Sequence, residues 1–114
     1  MILIIRDRAT PEQLRQMLST LGSYIKLAVD IERSILAGGG ELHADCEQLL
    51  LMEGSEQASV WGADWYPFNQ TVSYESLINI RPSANNRSME IQSFELRSQV
   101  NQVVESLLGG VQWQ

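Results

Sequence analysis

The chain has 114 residues, of which 44% are hydrophobic and 19% are charged, the composition of a folded domain rather than of a disordered segment. Fourteen acidic residues against eight Lys and Arg give a net charge of −6, which disfavours nucleic-acid binding because that binding depends on clustered cations. The single cysteine cannot form an intrachain disulfide, so we expect a cytoplasmic protein. The length of the chain predicts that residues 1–114 form one domain.

The first third of the chain predicts a strand, a helix and a second strand. Residues 2–5 are all Ile or Leu, as in a buried strand, and the run is too short for a signal peptide or a membrane span. Thr10 and Gln13 form a capping box that predicts a helix start, and Gly22 predicts its end. Residues 24–32 alternate between apolar and polar, with one face that becomes acidic toward its end.

The rest of the chain predicts two more helices and three more strands. A short strand at 34–37 runs into three glycines, and a helix over about 43–53 follows, with His43 or Asp45 as its N-cap. The later elements are strands at 58–65 and 71–81, joined as a hairpin, and a closing helix at 94–108 with a loose tail at 111–114. The order β-α-β-β-α-β-β-α predicts an α+β fold, a single mixed or mainly antiparallel sheet with helices packed on it.

Three runs of the sequence resemble those of a known family. They are VDIERSILAGGGELHADCE (29–47), WGADWYP (61–67) and SLINIRPSANNRSMEI (76–91). The chain is similar, over nearly its whole length, to a family of small uncharacterised bacterial and cyanobacterial proteins classed as a domain of unknown function. The resemblance implies no established activity and no cofactor.

The segment 38–47, GGGELHADCE, is the most unusual part of the chain. A glycine-rich turn before a helix presents free N–H groups and is typical of an anion site, but it is also typical of a connection that needs positive φ. The segment has neither the Lys-Ser/Thr of a P-loop nor the G-x-G-x-x-G spacing of a dinucleotide site. Its acidic residues Glu41, Asp45 and Glu47 would also repel a phosphate.

His43 and Cys46 are three residues apart and would share one face of a helix. An imidazolium and a helix N-terminus together lower the pKa of a thiol, so Cys46 is a candidate nucleophile beside the candidate acid–base group His43. The alternative is that Cys46 packs in the core, as free cysteines usually do.

The acidic residues around His43 raise the question of a metal site. Glu41, Asp45 and Glu47 offer oxygen ligands, and Asp30, Glu32 and Asp64 could lie nearby. One histidine excludes a two-histidine iron site, and a magnesium site at Asp45 and Glu47 is a weak alternative to plain helix-dipole complementarity. The sequence therefore indicates no metal.

Two other groups have both a functional and a structural interpretation. Asn79, Arg81 and the loop residues 85–87, which include Asn86 and Arg87, could bind a carboxylate or form an internal network of salt bridges and turns. Trp61, Trp65 and Tyr66 could cover the core or line a pocket.

We hypothesise that the segment 38–47, the strand end at 30–32 and the loop at 79–87 converge on one site for a small polar ligand, because ligand sites gather where strands and helices end. His43 is its only residue of a type that titrates near neutral pH. Whether the protein is an enzyme is left open, and the alternative is a non-catalytic homo-oligomeric or protein-interaction module. The candidate ligand-binding residues are Asp30, Glu32, Glu41, His43, Asp45, Asn79, Arg81, Asn86 and Arg87.

Overall fold

The computed structural model describes residues 1–114 and contains three α-helices and one five-stranded sheet. The strands are β1 (Leu3–Ile5), β2 (Ile25–Asp30), β3 (Ile35–Gly38), β4 (Val60–Tyr66) and β5 (Thr71–Ser73), and the helices are α1 (Pro11–Leu18), α2 (His43–Met52) and α3 (Phe94–Leu108). The sheet order is β1-β3-β2-β4-β5 and every neighbouring pair is antiparallel. The α+β class and the order of elements are confirmed.

The sheet separates two apolar cores. Side chains alternate between the faces of a strand, so Ile25, Leu27 and Val29 of β2 point to one face and Ala28 points to the other. The first face packs in a cluster that also contains residues of α1 and α3, whereas Ala28 packs with Cys46 and Leu50 of α2. The molecule therefore has three layers, and we call the side covered by α2 the α2 face.

The helix ends follow the predicted signals except at the end of α1, which stops at Leu18 with Ser19 as its C-cap and does not reach Gly22, and at the start of α2. Thr10 and Gln13 form the capping box of α1, and Ser93 caps α3 by accepting from the backbone N–H of Leu96. The prediction of His43 or Asp45 as the cap of α2 is wrong, because Leu42 is the N-cap and no side chain bonds to the first turn. None of the helices is long and apolar enough to cross a membrane.

The predicted strand at 71–81 is wrong beyond residue 73, where β5 ends and the chain leaves the sheet. β5 pairs only with the last three residues of β4, Asp64–Tyr66. At Gly62, where no strand lies alongside, the outer edge of β4 is completed by the side chain of Asn79. Its Oδ1 accepts from the N–H of Gly62 at 2.8 Å, and its Nδ2 donates to the carbonyl of Gly62 at 3.0 Å. A planar amide replaces a peptide group here, because it offers one donor and one acceptor in the same geometry.

Glycine is needed at position 62 for this arrangement. A Cβ at that position would lie 2.5 Å from the Cβ of Ser76, closer than two carbon atoms can approach. The segment after β5 therefore packs directly against the backbone of β4. It forms the wall beside α2 on the α2 face.

Candidate functional site

A row of three polar residues crosses the α2 face. Lys26 of β2 lies directly opposite Asp64 of β4, and Asp64 lies directly opposite Ser73 of β5. His43, in the first turn of α2, reaches down to this row, and its Nε2 lies 2.7 Å from Oδ1 of Asp64. The hydroxyl of Ser73 donates to Oδ2 of the same carboxylate at 2.9 Å. His43 and Asp64 are 13% and 10% exposed at their side chains, so the pair lies mostly out of solvent.

The carboxylate of Asp64 determines which tautomer the neutral imidazole of His43 adopts. A carboxylate accepts hydrogen bonds, so the proton of a neutral imidazole belongs on Nε2 and the lone pair on Nδ1. Nδ1 makes no hydrogen bond within the chain, and it is not among the buried polar atoms that lack a partner. Nδ1 therefore keeps some accessible surface and a lone pair without a partner, and the carboxylate of Asp64 holds the ring in place.

His43 and Asp64 line a cavity of about 450 Å³, which we call the His43 cavity. This volume is within the range of small-molecule sites. The twelve residues that line it are Tyr24, Lys26, Leu42, His43, Ala44, Asp64, Tyr66, Glu75, Ser76, Leu77, Ile78 and Met89. Tyr24 and Tyr66 stack on each other with ring centroids 5.2 Å apart. Polar groups and apolar side chains thus meet in one concavity.

The apolar side chains of the His43 cavity are unusually exposed. Leu77 is 71% exposed, Leu42 is 57% exposed and Met89 is 42% exposed. They come from the start of α2 and from the segment after β5, on two sides of the cavity. The site therefore offers apolar surface to whatever enters it.

Lys26 and Glu75 are the charged residues of the cavity that have no ion-pair partner. The ammonium group of Lys26 donates to the backbone carbonyl of Glu41 at 2.9 Å, and no carboxylate lies within 4.0 Å of it. Glu75 is exposed, and its carboxylate makes no hydrogen bond or salt bridge.

Cys46 does not belong to the site. It is fully buried in the core of the α2 face, where its thiol lies 3.5 Å from the carbonyl of Lys26. Burial raises the pKa of the thiol to about 11, although a hydrogen bond from Gly40 acts in the opposite direction. A thiol with that pKa is not a thiolate at neutral pH, and Cys46 packs here as a small apolar residue.

Arg81 is fully engaged inside the protein. Its guanidinium donates to the backbone carbonyls of Ile78, Gln57 and Val60, and it lies 4.5 Å from the ring centroid of Trp61. It also pairs with Glu47 of α2 at 3.4 Å. Burial lowers the pKa of Arg81, and the carboxylate of Glu47 opposes that shift. This network joins α2 to the loop at 79–87, and it leaves little of Arg81 for a ligand.

Asn79 and Asn86 of the loop also serve the backbone. Asn79 is fully buried, and Asn86 is 2% exposed. The amide of Asn86 donates to the carbonyls of Asn79, Ser88 and Glu90 and accepts from the N–H of Gln92. Arg87 is exposed and makes no hydrogen bond or salt bridge. Asn79 and Asn86 therefore organise the loop, whereas Arg87 takes no part in its hydrogen-bond network.

Asp30 and Glu32 lie at the other end of α2 from His43. Asp30 accepts from Ser55, which follows the end of α2, and a helix of ten residues is about 15 Å long. Glu32 is exposed and lines a separate cavity with Asp30 and Arg33. The structure does not bring this strand end to His43.

The remaining acidic residues of the segment 38–47 are exposed. Glu41 contributes its backbone carbonyl to Lys26, and the side chain of Asp45 makes no hydrogen bond. No three His, Cys, Asp or Glu side chains lie close enough together to hold a metal ion. In the glycine turn, Gly39 has φ +102°, and a Cβ there would lie 2.2 Å from the carbonyl oxygen of Met1. The turn thus needs positive φ and close packing.

Sequence reasoning missed Lys26, Ser73 and Glu75 as members of the site. Their signal is the polar face of each alternating strand, which places Lys26 beneath α2 and aligns Ser73 with Glu75. These residues meet because β2, β4 and β5 are neighbours in the sheet. The alternation of apolar and polar residues within a strand does not predict the order of the strands.

Comparison with known proteins places the chain in a family. No curated protein and no solved structure matches it. The model of a family described as a protein of unknown function (DUF5674) matches residues 3–107, which is most of the chain. The chain therefore belongs to this uncharacterised family.

Proposed function

We propose that this protein binds a small amphipathic ligand in the His43 cavity, with His43 as the hydrogen-bond acceptor that positions it. The observation that carries the proposal is the free Nδ1 of an imidazole whose other nitrogen is held by Asp64 at 2.7 Å. A histidine fixed by a carboxylate and open on its other nitrogen is a recurrent arrangement for accepting a proton or a hydrogen bond.

Asp64 is itself held in place by Ser73. Ser73 donates to the second carboxylate oxygen, so both oxygens of Asp64 have a partner and the carboxylate is held against rotation. A ligand donor that meets Nδ1 would find the ring already oriented, which lowers the entropy that binding must overcome. The exposed apolar side chains beside the ring would cover the apolar part of the ligand.

The proposal can be tested by NMR, because the chain contains one histidine and its ring signals need no assignment. The protein is titrated with amino acids, dipeptides, carboxylic acids, amines and alcohols while the His43 ring signals are followed. We expect at least one class to shift these signals in a saturable way, and we expect His43→Gln, which has no ring signal and is followed by calorimetry, to lose binding of that class. If no compound shifts the ring signals, the protein does not bind small ligands at this site.

A matched pair of variants controls for non-specific effects. Ala44 lines the His43 cavity and is exposed, so Ala44→Trp should fill the cavity and block binding. Ala84 is also exposed but lines no cavity, so Ala84→Trp should bind as the wild type does. Ring signals that change with protein concentration alone would instead favour an interface between copies of the chain.

A further inference from the structure

We infer that the ligand of the His43 cavity is a zwitterion of dipeptide size with apolar side chains, an inference that rests on the proposed function and names its ligand class. Two charges of opposite sign, Lys26 and Glu75, line the same cavity, and neither has a counter-ion within the chain. A ligand with a carboxylate at one end and an ammonium group at the other would form an ion pair with each of them.

The spacing of the strands that carry the two charged residues sets the scale of the ligand. Lys26, Asp64 and Ser73 lie on three neighbouring strands, and strands are about 4.8 Å apart, so Lys26 and Ser73 are separated by roughly 10 Å at the backbone. Glu75 follows Ser73 by two residues, about 7 Å further along an extended chain, which places it roughly 12 Å from Lys26 at the backbone. The charges of a free amino acid are attached to one carbon atom, whereas the ends of an extended dipeptide lie about 7 Å apart. With a hydrogen bond of about 2.8 Å at each end, an extended dipeptide spans about 13 Å, close to the backbone separation of Lys26 and Glu75, whereas a free amino acid is too short.

The groups between the two charges suit the middle of such a ligand. His43 lies in the same cavity, and its Nδ1 can accept the N–H of a peptide bond. Leu42 and Leu77, on two sides of the cavity, expose apolar surface that two apolar side chains would cover. The ammonium group, the carboxylate and the peptide N–H of the dipeptide thus each have a partner of opposite character.

The test uses leucyl-leucine and four relatives, with dissociation constants measured from the His43 ring signals or by calorimetry. N-acetyl-leucyl-leucine lacks the ammonium group, leucyl-leucine amide lacks the carboxylate, glycyl-glycine lacks the apolar side chains, and leucine lacks the length. We expect leucyl-leucine to bind most tightly, with about a fivefold loss for each blocked end, the scale of one partly exposed ion pair.

Two variants assign each end to its residue. Lys26→Met should remove the preference for the free carboxylate over the amide and keep the preference for the free ammonium group. Glu75→Gln should do the opposite. A general distortion of the cavity would weaken all peptides equally, so the change in preference distinguishes recognition from misfolding.

Each other outcome overturns a defined part of the inference. If wild-type protein binds the blocked and free dipeptides equally, the zwitterion is wrong. If leucine binds as tightly as leucyl-leucine, the dipeptide length is wrong. If the peptides do not bind but other compounds shift the His43 ring signals, the ligand class is wrong while binding at His43 stands. If nothing shifts these signals, both the ligand class and the proposed function are wrong.

Discussion

Two buried carboxylates lie at opposite ends of the α2 face, and their partners differ in kind. Asp30 accepts from the backbone N–H groups of Glu32 and Arg33 at 3.0 and 3.1 Å and from the hydroxyl of Ser55 at 2.6 Å. Asp64 is bonded only by side chains, those of His43 and Ser73. Both carboxylates are nearly excluded from solvent, at 1% and 7% exposed.

The difference separates a carboxylate that holds the fold from one that orients a functional group. Asp30 closes the turn between β2 and β3 and ties it to the segment after α2, so its removal opens the turn and leaves the buried hydroxyl of Ser55 without its acceptor. Asp64 supports a ring that faces a cavity, and its removal frees side chains that can turn to water. Burial alone does not distinguish the two roles, whereas the identity of the donors does.

The largest expected effect is that of Asp30→Ala. We expect it to lower the free energy of unfolding by about 3 kcal/mol, since three hydrogen bonds to a charged group are lost and the buried hydroxyl of Ser55 is left without its acceptor. Asp64→Ala should cost about 1 kcal/mol, because its donors can reorient, but it should abolish ligand binding at His43. Urea unfolding of both variants, followed by fluorescence, measures the difference.

The two substitutions control for each other, because both remove a carboxylate from the same face of the same sheet. Asp30→Ala should retain ligand binding wherever the protein is still folded. Equal losses of stability would contradict the division into a structural and a functional carboxylate.

Much of the fold could be predicted from local sequence. The capping box at Thr10 and the stripe of residues 94–108 define α1 and α3, because caps and helical periodicity act within one element. The strand at 71–81 could not be predicted correctly. Its alternation continues after Ser73, but Asn79 makes tertiary hydrogen bonds to Gly62 that replace the strand ladder.

Less of the site could be predicted. The sequence directs attention to His43, but it also joins His43 to Asp30, which lies at the far end of α2. The partners of His43 come from β2, β4 and β5, and the sheet order that brings them together depends on long-range pairing. Arg81 shows the same limit, since its cationic character predicts a ligand contact and its burial against Trp61 and Glu47 assigns it to packing.

The next largest expected effect is a loss of stability at high pH, and it comes from Cys46. This residue packs against β2 in the layer between the two carboxylates. Its thiol has a pKa of about 11, above the ordinary 9.0, chiefly because of burial, while Asp45 raises it further and Lys26 lowers it. Below pH 9 the thiol is protonated in both folded and unfolded chains, so it adds no pH dependence. Between pH 9 and 11 only the unfolded chain loses the proton, so stability should fall by about 2–3 kcal/mol.

This effect is measured as the difference between wild-type protein and Cys46→Ala in urea unfolding at pH 8, 9 and 10. Tyrosines also titrate at high pH, but they do so in both proteins and cancel in the comparison. The substitution should be destabilising at pH 8 and become progressively less so as the pH rises. Parallel stability curves would mean that the thiol is open to solvent and that the α2 layer is not closed between the two carboxylates.

The smallest effect comes from the two serines that bond to the carboxylates, and it is the finest test of the comparison. Ser55 is buried and donates to Asp30 while it accepts from Arg33, so Ser55→Ala should cost about 1.5 kcal/mol. Ser73 is half-buried and water can replace its hydroxyl, so Ser73→Ala should cost less than about 0.5 kcal/mol. Ser73→Ala should instead weaken ligand binding by about threefold, because Asp64 would lose the donor that stops its rotation. Ser55→Ala should therefore lose more stability than Ser73→Ala, whereas Ser73→Ala should lose more ligand affinity than Ser55→Ala. If the same variant loses more of both, both carboxylates serve only the fold.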